Sequence, residues 1–314
     1  MVLAARVLEF PAEVEASPRP VEIAVQGVSV SYPLASSGAG SPRVKTVLSH
    51  LNLEICAGEF VAVLGETGCG KSTLLRLVLG QEQPTEGRIC VDGKPVTRID
   101  SRCGYVPQKY SLFPDRTMID NVTYGPENAF CGWFGRLLPS FHRFRRRLRA
   151  EAEAQLLRMG LRATDLNKYP HQLSGGMQQR VAIAQALMMK PPVLLMDEAF
   201  SALDPSTRAS LQQQMREIWL ESKPTVLFVT HNTAEALLLG SRLIVLGPHR
   251  EGALKSNVIL DISLPQSEDT ISVRKQSREF QELREFVESR AYGSASGAND
   301  PQPEEATYGR GDSL

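Results

Sequence analysis

Between the apolar run FVAVL (60–64) and the apolar-periodic LLRLVL (74–79) lies GETGCGKST, Gly65 to Thr73. No other stretch constrains the fold as strongly. It fits G-x-x-x-x-G-K-[ST], and its flanks supply the strand before and the helix after that such a loop requires. Its glycines allow successive backbone N–H groups to point at one place, Lys71 brings positive charge there, and Ser72 offers a hydroxyl suited to Mg²⁺. A loop of this kind cradles nucleotide phosphates. A glycine-rich turn with a surface lysine is the ordinary alternative, but it does not account for the strand–loop–helix setting.

Elsewhere, VEIAVQGVSVSY (21–32) alternates like a half-buried strand, and the Ser/Gly/Pro-rich PLASSGAGSPR (33–43) reads as a loop. Ala57-Gly58 makes a turn before the 60–64 strand. GRICVDGKPV forms short strands around an Asp92-Gly93 hairpin turn. Residues 126–170 carry long, Arg-rich helical patterns. A helix runs from Gly176, a buried strand from Val193 to Met196, and a polar helix from Pro205 to about Leu220. TVLFVT (225–230) and RLIVLG (242–247) are further strands. Continuous apolar runs alternating with helices indicate an α/β fold, with a mostly parallel sheet covered on both faces. Beyond 270, Phe280, Leu283, Phe286 and Val287 fall on one side of a short helix. The ends, 1–20 and 291–314, read as a flexible tail and a disordered one. Arg310-Gly311-Asp312 in the latter is read as a chance triplet.

Composition excludes several functions. Lys+Arg and Asp+Glu both number 35, giving no electrostatic argument for nucleic acid. The five cysteines are odd in number and lack C-x-x-C pairing, which points to reduced thiols rather than a disulfide frame or zinc site. The N-terminal stretch is broken by Glu and Pro and makes a poor signal peptide. No run reaches the ~18–20 apolar residues that span a bilayer. Any membrane role is therefore peripheral.

The strand 193–196 ends in two carboxylates, Asp197 and Glu198. Ligands of open α/β sheets sit beyond the carboxyl ends of the strands. There Asp197 can hold Mg²⁺ and Glu198 can polarise an attacking water. His231 ends TVLFVT at the same edge, within reach of a γ-phosphate, and Gln108 follows Tyr105-Val106-Pro107. A second anion site is written in LSGGMQQR, where Ser174, Gly175 and Gly176 head an apolar-periodic helix.

The set GETGCGKST, YVPQ, LSGGMQQR, VLLMDE, SALD (201–204) and THNTAEA resembles the ATP-binding-cassette (ABC) ATPases over about 21–268. The resemblance implies a P-loop NTPase fold: a RecA-like parallel-sheet core, an antiparallel β subdomain and an inserted helical subdomain at about 110–176. A C-terminal helical extension follows at 269–290. It also implies ATP and Mg²⁺, with Gly65, Glu66, Thr67, Gly68, Cys69, Gly70, Lys71, Ser72 and Thr73 around the phosphates and Tyr32 stacked on adenine. Ser72, Gln108 and Asp197 serve the metal, while Glu198, His231 and Gln108 serve the hydrolysis. Two copies stack head to tail, so that Ser174, Gly175 and Gly176 of one close over the ATP of the other, and Asp204 closes the loop that lies against the partner's nucleotide. The implied partners are a second ATPase subunit, transmembrane permease subunits and, indirectly, a substrate-binding protein, with no nucleic acid. The implied location is the cytoplasmic side of the inner membrane.

Within the family, LSGGMQQR with MDEAFSALDP is similar to importers of the nitrate/sulfonate/taurine group. The chain departs from that group at Asp115, where tryptophan is usual, and at Glu66-Thr67, where Pro-Ser is common. The alternatives are a glycine-betaine-type importer, an exporter, or a soluble ABC ATPase outside transport. About 130 residues separate Gly65 from Asp197 without sustained heptads, which argues against the coiled-coil chromosome type. The segment 131–149 sets Trp133, Phe134, Leu137, Leu138 and Phe141 among arginines from Arg136 to Arg149. It reads as part of a helical subdomain with a solvated basic face, membrane-surface contact being the alternative.

Overall fold

A computed structural model describes residues 20–33, 44–109, 111–130, 139–249, 257–266 and 270–292. At its centre is β3 (Phe60–Gly65), buried at every position. It lies in a sheet with β9 (Arg242–Leu246), β8 (Thr225–Thr230), β7 (Val193–Asp197) and β6 (Cys103–Val106), in the order β9-β3-β8-β7-β6 and all parallel. The antiparallel β10 (Val258–Ser263) closes the β9 edge. Helices and a second sheet cover the two faces, which is why β3, β7, β8 and β9 are continuous apolar runs instead of alternating ones. The ladder pairs Leu64 with Thr230, Asp197 with Val229, and Val106 with Met196. Gly65, Asp197, Thr230 and Val106 therefore reach one edge together.

The second sheet is antiparallel: β1 (Val21–Pro33), β2 (Val44–Cys56), β4 (Glu86–Val91) and the short β5 (Lys94–Pro95), in the order β2-β1-β4-β5. Its inner face (Ile23, Val25, Leu48, Leu51) packs on Val61 and Val63 of the central strand and on Leu74 and Leu75 of α1 (Lys71–Leu79). On the opposite face, Phe60, Phe200, Phe228 and Trp219 make edge-to-face contacts. Full burial of side chains of this size stabilises the fold by about 1.5–3 kcal/mol each.

α2 (Met118–Phe130), α3 (Pro139–Arg158) and α4 (Gly175–Met188) form a helical layer joined through Met118, Val122, Leu148, Ala152, Leu156 and Val181. α5 (Pro205–Ser222) and α6 (Thr233–Leu239) follow β7 and β8. α7 (Ile271–Gln276) and α8 (Arg278–Tyr292) end the described chain.

The structure moves several expected boundaries. α1 begins at Lys71 rather than 74, because Gly70, at φ 104°, is the residue that turns the loop into the helix. The helical pattern of 126–170 divides. One helix starts at Met118, where the Thr117 hydroxyl donates to Asp120 over 2.6 Å. The next starts at Pro139, whose missing N–H costs nothing in a first turn, and it is followed by Gly160 at φ 72°. Short 3₁₀ turns at 163–165 and 170–172 take up the remainder. Trp133, Phe134, Arg136, Leu137 and Leu138 lie outside the described residues, as do the N-terminal segment through 19, the loop 34–43, Cys131 and the tail from 293. In α3, Arg145 pairs with Glu127 and Arg149 with Asp120 across the helix interface, while His142, Arg143, Arg146 and Arg147 are exposed.

Candidate functional site

The loop between β3 and α1 is built for an anion. Gly68 and Gly70 take φ 86° and 104°, the left-handed region that favours glycine. A Cβ on Gly70 would also lie 2.5 Å from the Leu48 side chain. The first turn of α1 has no acidic residue and no side-chain cap, so its free N–H groups and positive dipole end are left for a ligand. Lys71 is buried, and its ammonium donates to the carbonyls of Gly65 and Glu66 at 2.8 Å each. Among the described residues no carboxylate pairs with it. The result is a buried cation without a carboxylate in direct contact, beneath a cleft of about 520 Å³ lined in part by Thr67, Gly68, Gly70, Ser72 and Thr73. That volume lies in the range of small-molecule sites.

Three groups from other strands converge on the same cleft. Glu198, just past β7, accepts from the Gln108 side-chain amide at 3.0 Å on one oxygen and lies 3.2 Å from His231 Nδ1 on the other. The Glu198 backbone is held at φ 44°, which a non-glycine residue adopts only when its surroundings impose it. Its N–H donates to the Val229 carbonyl, and Ser201 donates to its own carbonyl from both backbone and hydroxyl. His231 is aimed by a compact turn. Asn232 N–H donates to the Thr230 hydroxyl, the Thr230 hydroxyl donates to Glu235, and the Glu235 N–H donates to the Asn232 side chain. Burial pushes the Glu235 carboxyl up, against the Thr230 bond and the Arg208 charge.

Asp197 is buried and accepts a 3.0 Å hydrogen bond from the Ser72 hydroxyl, joining the end of β7 to the start of α1. Burial first, and the Glu198 charge next, hold its carboxyl above the usual range. Removing a carboxylate from water without a cation is unfavourable, so this position gains from one. Ser72, Asp197 and Gln108 present oxygen donors at one edge, the ligand type a hard cation takes. Among the described residues no cluster of three or more His, Cys, Asp or Glu is found. Mg²⁺ takes one or two carboxylates and completes its shell with phosphate and water.

Other expected residues lie apart from the cleft. Ser174 is exposed and caps α4, accepting from Met177 N–H at 3.3 Å. Neither it nor Gly175 or Gly176 lines the cleft that holds Lys71. Gly176 instead faces α5, where a Cβ would meet Thr207 at 3.2 Å and Leu203 at 3.5 Å. Asp204 caps α5, accepting from the Thr207 N–H at 3.0 Å and the Ser206 hydroxyl at 2.7 Å; these bonds hold its carboxyl well below the usual range. The helix start at Gly176 and the Thr207 turn capped by Asp204 are thus packed together in one chain. Tyr32 does not line the cleft either. Its hydroxyl donates to Glu82 at 2.7 Å, and Glu82 pairs with Arg76. Cys69 is buried under the loop, its thiol pushed up by desolvation.

Lys45, Val47 and Arg76 line the cleft without having been singled out. A signal existed for Arg76, which lies four residues after Ser72 and so on the same face of a helix. Lys45 and Val47 sit two apart in β2 and share a face, but β2 itself went unrecognised in the sequence.

The sequence pattern of the ABC transporter family matches residues 48–201. An uncharacterized ABC transporter ATP-binding protein of Methanocaldococcus jannaschii is 42% identical over 246 residues, 78% of this chain and 84% of that protein. The bicarbonate transport ATP-binding protein CmpD of Synechocystis is 37% identical over 251 residues, covering 79% and 82%. The nitrate import ATP-binding protein NrtD of Synechococcus elongatus is 41% identical over 203 residues, covering 63% and 69%. Among solved structures, a dimeric post-hydrolysis state of an ATP-binding cassette bound to ADP and Pi matches with a TM-score of 0.60 and 32% identity. That match covers 74% of this chain and 99% of the other.

Proposed function

The chain belongs to the ABC transporter family as an ATP-hydrolysing subunit, and we propose that it powers import of a small inorganic anion through partner permease subunits. The observation that carries the ATP-hydrolysing part of this reading is the convergence of Gln108 and His231 on Glu198, at the same sheet edge where Ser72 meets Asp197. That edge is where hydrolysis of a bound nucleoside triphosphate needs a base, a charge sensor and a metal ligand.

The roles divide as follows. Lys71 and the free N–H groups of the loop hold the phosphates. Glu198 accepts a proton from the attacking water, with Gln108 orienting the carboxylate and His231 placed to meet the γ-phosphate. Ser72, Asp197 and Gln108 would hold Mg²⁺, which supplies charge neutralisation of the phosphoryl oxygens. Arg76 and Lys45 add positive charge along the cleft wall.

The helix start at Ser174-Gly175-Gly176, where Ser174 is exposed, would serve as a second anion site outside the chain's own cleft. In a two-fold arrangement it closes over the partner's nucleotide, and each ATP is held by two chains. Loss of the γ-phosphate then releases the pair, turning chemistry into motion. No helix among the described residues is long and apolar enough to cross a membrane.

The anion assignment rests on relatives named for bicarbonate and nitrate. The test is uptake of labelled bicarbonate and nitrate by cells lacking this chain, complemented with the wild-type or Glu198→Gln form. Uptake restored by the wild type alone supports the reading. Unchanged uptake of both anions, or a defect in efflux instead, overturns it.

A further inference from the structure

His231 stands one residue before the Asn232 cap of α6, a helix of seven residues. So short a helix has little stability of its own, and its position is set by what packs on it. The α7–α8 extension holds it at both ends. At the C-terminal end, the buried Arg274 of α7 donates to the carbonyls of Leu237 (3.3 Å) and Leu238 (3.0 Å), and also to Pro265 (3.2 Å). Gln266 donates to Gly240, the C-cap, at 3.0 Å. Along the side, Phe280, Leu283, Val287 and Ala291 of α8 join the core cluster that contains Ala236 to Leu239. At the N-terminal end, the hydroxyl of Tyr292, the last residue of α8, donates to the His231 carbonyl over 3.4 Å.

We propose that the C-terminal extension positions His231, with Tyr292 as a positioning residue that holds the turn at His231 in the setting from which its imidazole meets Glu198. This rests on the role given to His231 above. Arg274 fixes where the far end of α6 sits, α8 fixes its height over the sheet, and Tyr292 fixes the rotation of the turn carrying the imidazole. Docking of α8 and ATP turnover are thereby linked.

The experiment compares full-length wild type with Tyr292→Phe, Tyr292→Ala and His231→Ala, measuring kcat and KM for ATP and the Tm of each. Loss of one hydrogen bond acting through His231 lowers kcat of Tyr292→Phe about fivefold, with KM and Tm unchanged. Tyr292→Ala, which also loses ring packing, shows the same kcat loss together with a lowered Tm. Wild-type kcat in Tyr292→Phe while His231→Ala is impaired overturns the inference and leaves the His231 reading standing. So does a fall in kcat of Tyr292→Phe that comes with matching changes in its KM and Tm, which marks a merely structural residue. Wild-type turnover in His231→Ala removes the reading on which the inference rests.

Discussion

The side-chain amide of Gln108 donates to a carboxylate oxygen of Glu198 over 3.0 Å, although 90 positions separate them. Register explains the meeting. β6 and β7 are parallel neighbours with Val106 opposite Met196, so the residues two beyond each partner leave the sheet side by side. If Glu198 is the base, Glu198→Gln reduces ATP turnover by about 10²–10⁴-fold, the usual worth of a positioned base, while equilibrium ATP binding persists. Phosphate release and nucleotide binding measured on the same sample decide this. An undiminished rate would remove Glu198 from the chemistry.

Gln108→Ala leaves the Glu198 carboxylate with the His231 contact alone. Turnover is expected to fall by about tenfold, roughly the worth of one orienting hydrogen bond to a charged group, with ATP affinity close to wild type. A loss of ATP affinity with kcat preserved would make Gln108 a binding residue instead.

Asp197 gives a pH dependence. Its carboxyl is held above the ordinary value of 3.8 by burial and by Glu198. The folded state therefore binds the proton more tightly than the unfolded one. The associated stability is present below the unfolded value and is lost as pH rises through the raised one. Above that window the nucleotide-free protein carries an ionised, desolvated carboxylate. Asp197→Asn should raise the Tm of that form at pH 8 by roughly 2–4 °C, with a smaller gain as the pH is lowered toward the window, while Mg²⁺-dependent hydrolysis is lost. A lower Tm for the variant at pH 8 would show that the Ser72 bond outweighs desolvation.

Ser174→Arg places a long cation on an exposed helix start outside the cleft of its own chain. Nucleotide affinity of the isolated monomer is expected to stay within about twofold of wild type, well under the 1.4 kcal/mol that makes a tenfold change. ATP-dependent self-association, followed by sedimentation velocity, is expected to disappear. Collapse of monomer affinity would mean that the signature serves its own nucleotide.

Much of the central architecture was legible because both-face burial writes β3, β7 and β8 as uninterrupted apolar runs, each followed by a polar residue at the working edge. Asp197-Glu198 could be placed from that alone, whereas His231, like Gln108, gained a role only from sharing their edge and from the resemblance of the whole motif set. β2 was not legible. Its burial alternates only along its second half, and its start follows a Ser/Gly/Pro-rich loop, so Lys45 and Val47 were missed with it. The short edge strand β10 is only partly buried and carries a correspondingly weak pattern. Tyr32 could be placed on a strand from the sequence, but its bond to Glu82 could not, since that contact depends on where α1 ends. The Tyr292 contact with the His231 turn is of the same kind, a long-range consequence of α8 docking on α6 with no local signal.

The most direct test of shared nucleotide sites is the initial ATPase rate per chain of the wild-type protein, measured across a wide dilution series at saturating MgATP, with the association state followed in parallel. If each ATP is completed by Lys71 of one copy and Ser174 of another, the rate per chain rises with protein concentration and tracks the dimer fraction. A rate per chain that stays constant down to strictly monomeric protein would contradict it.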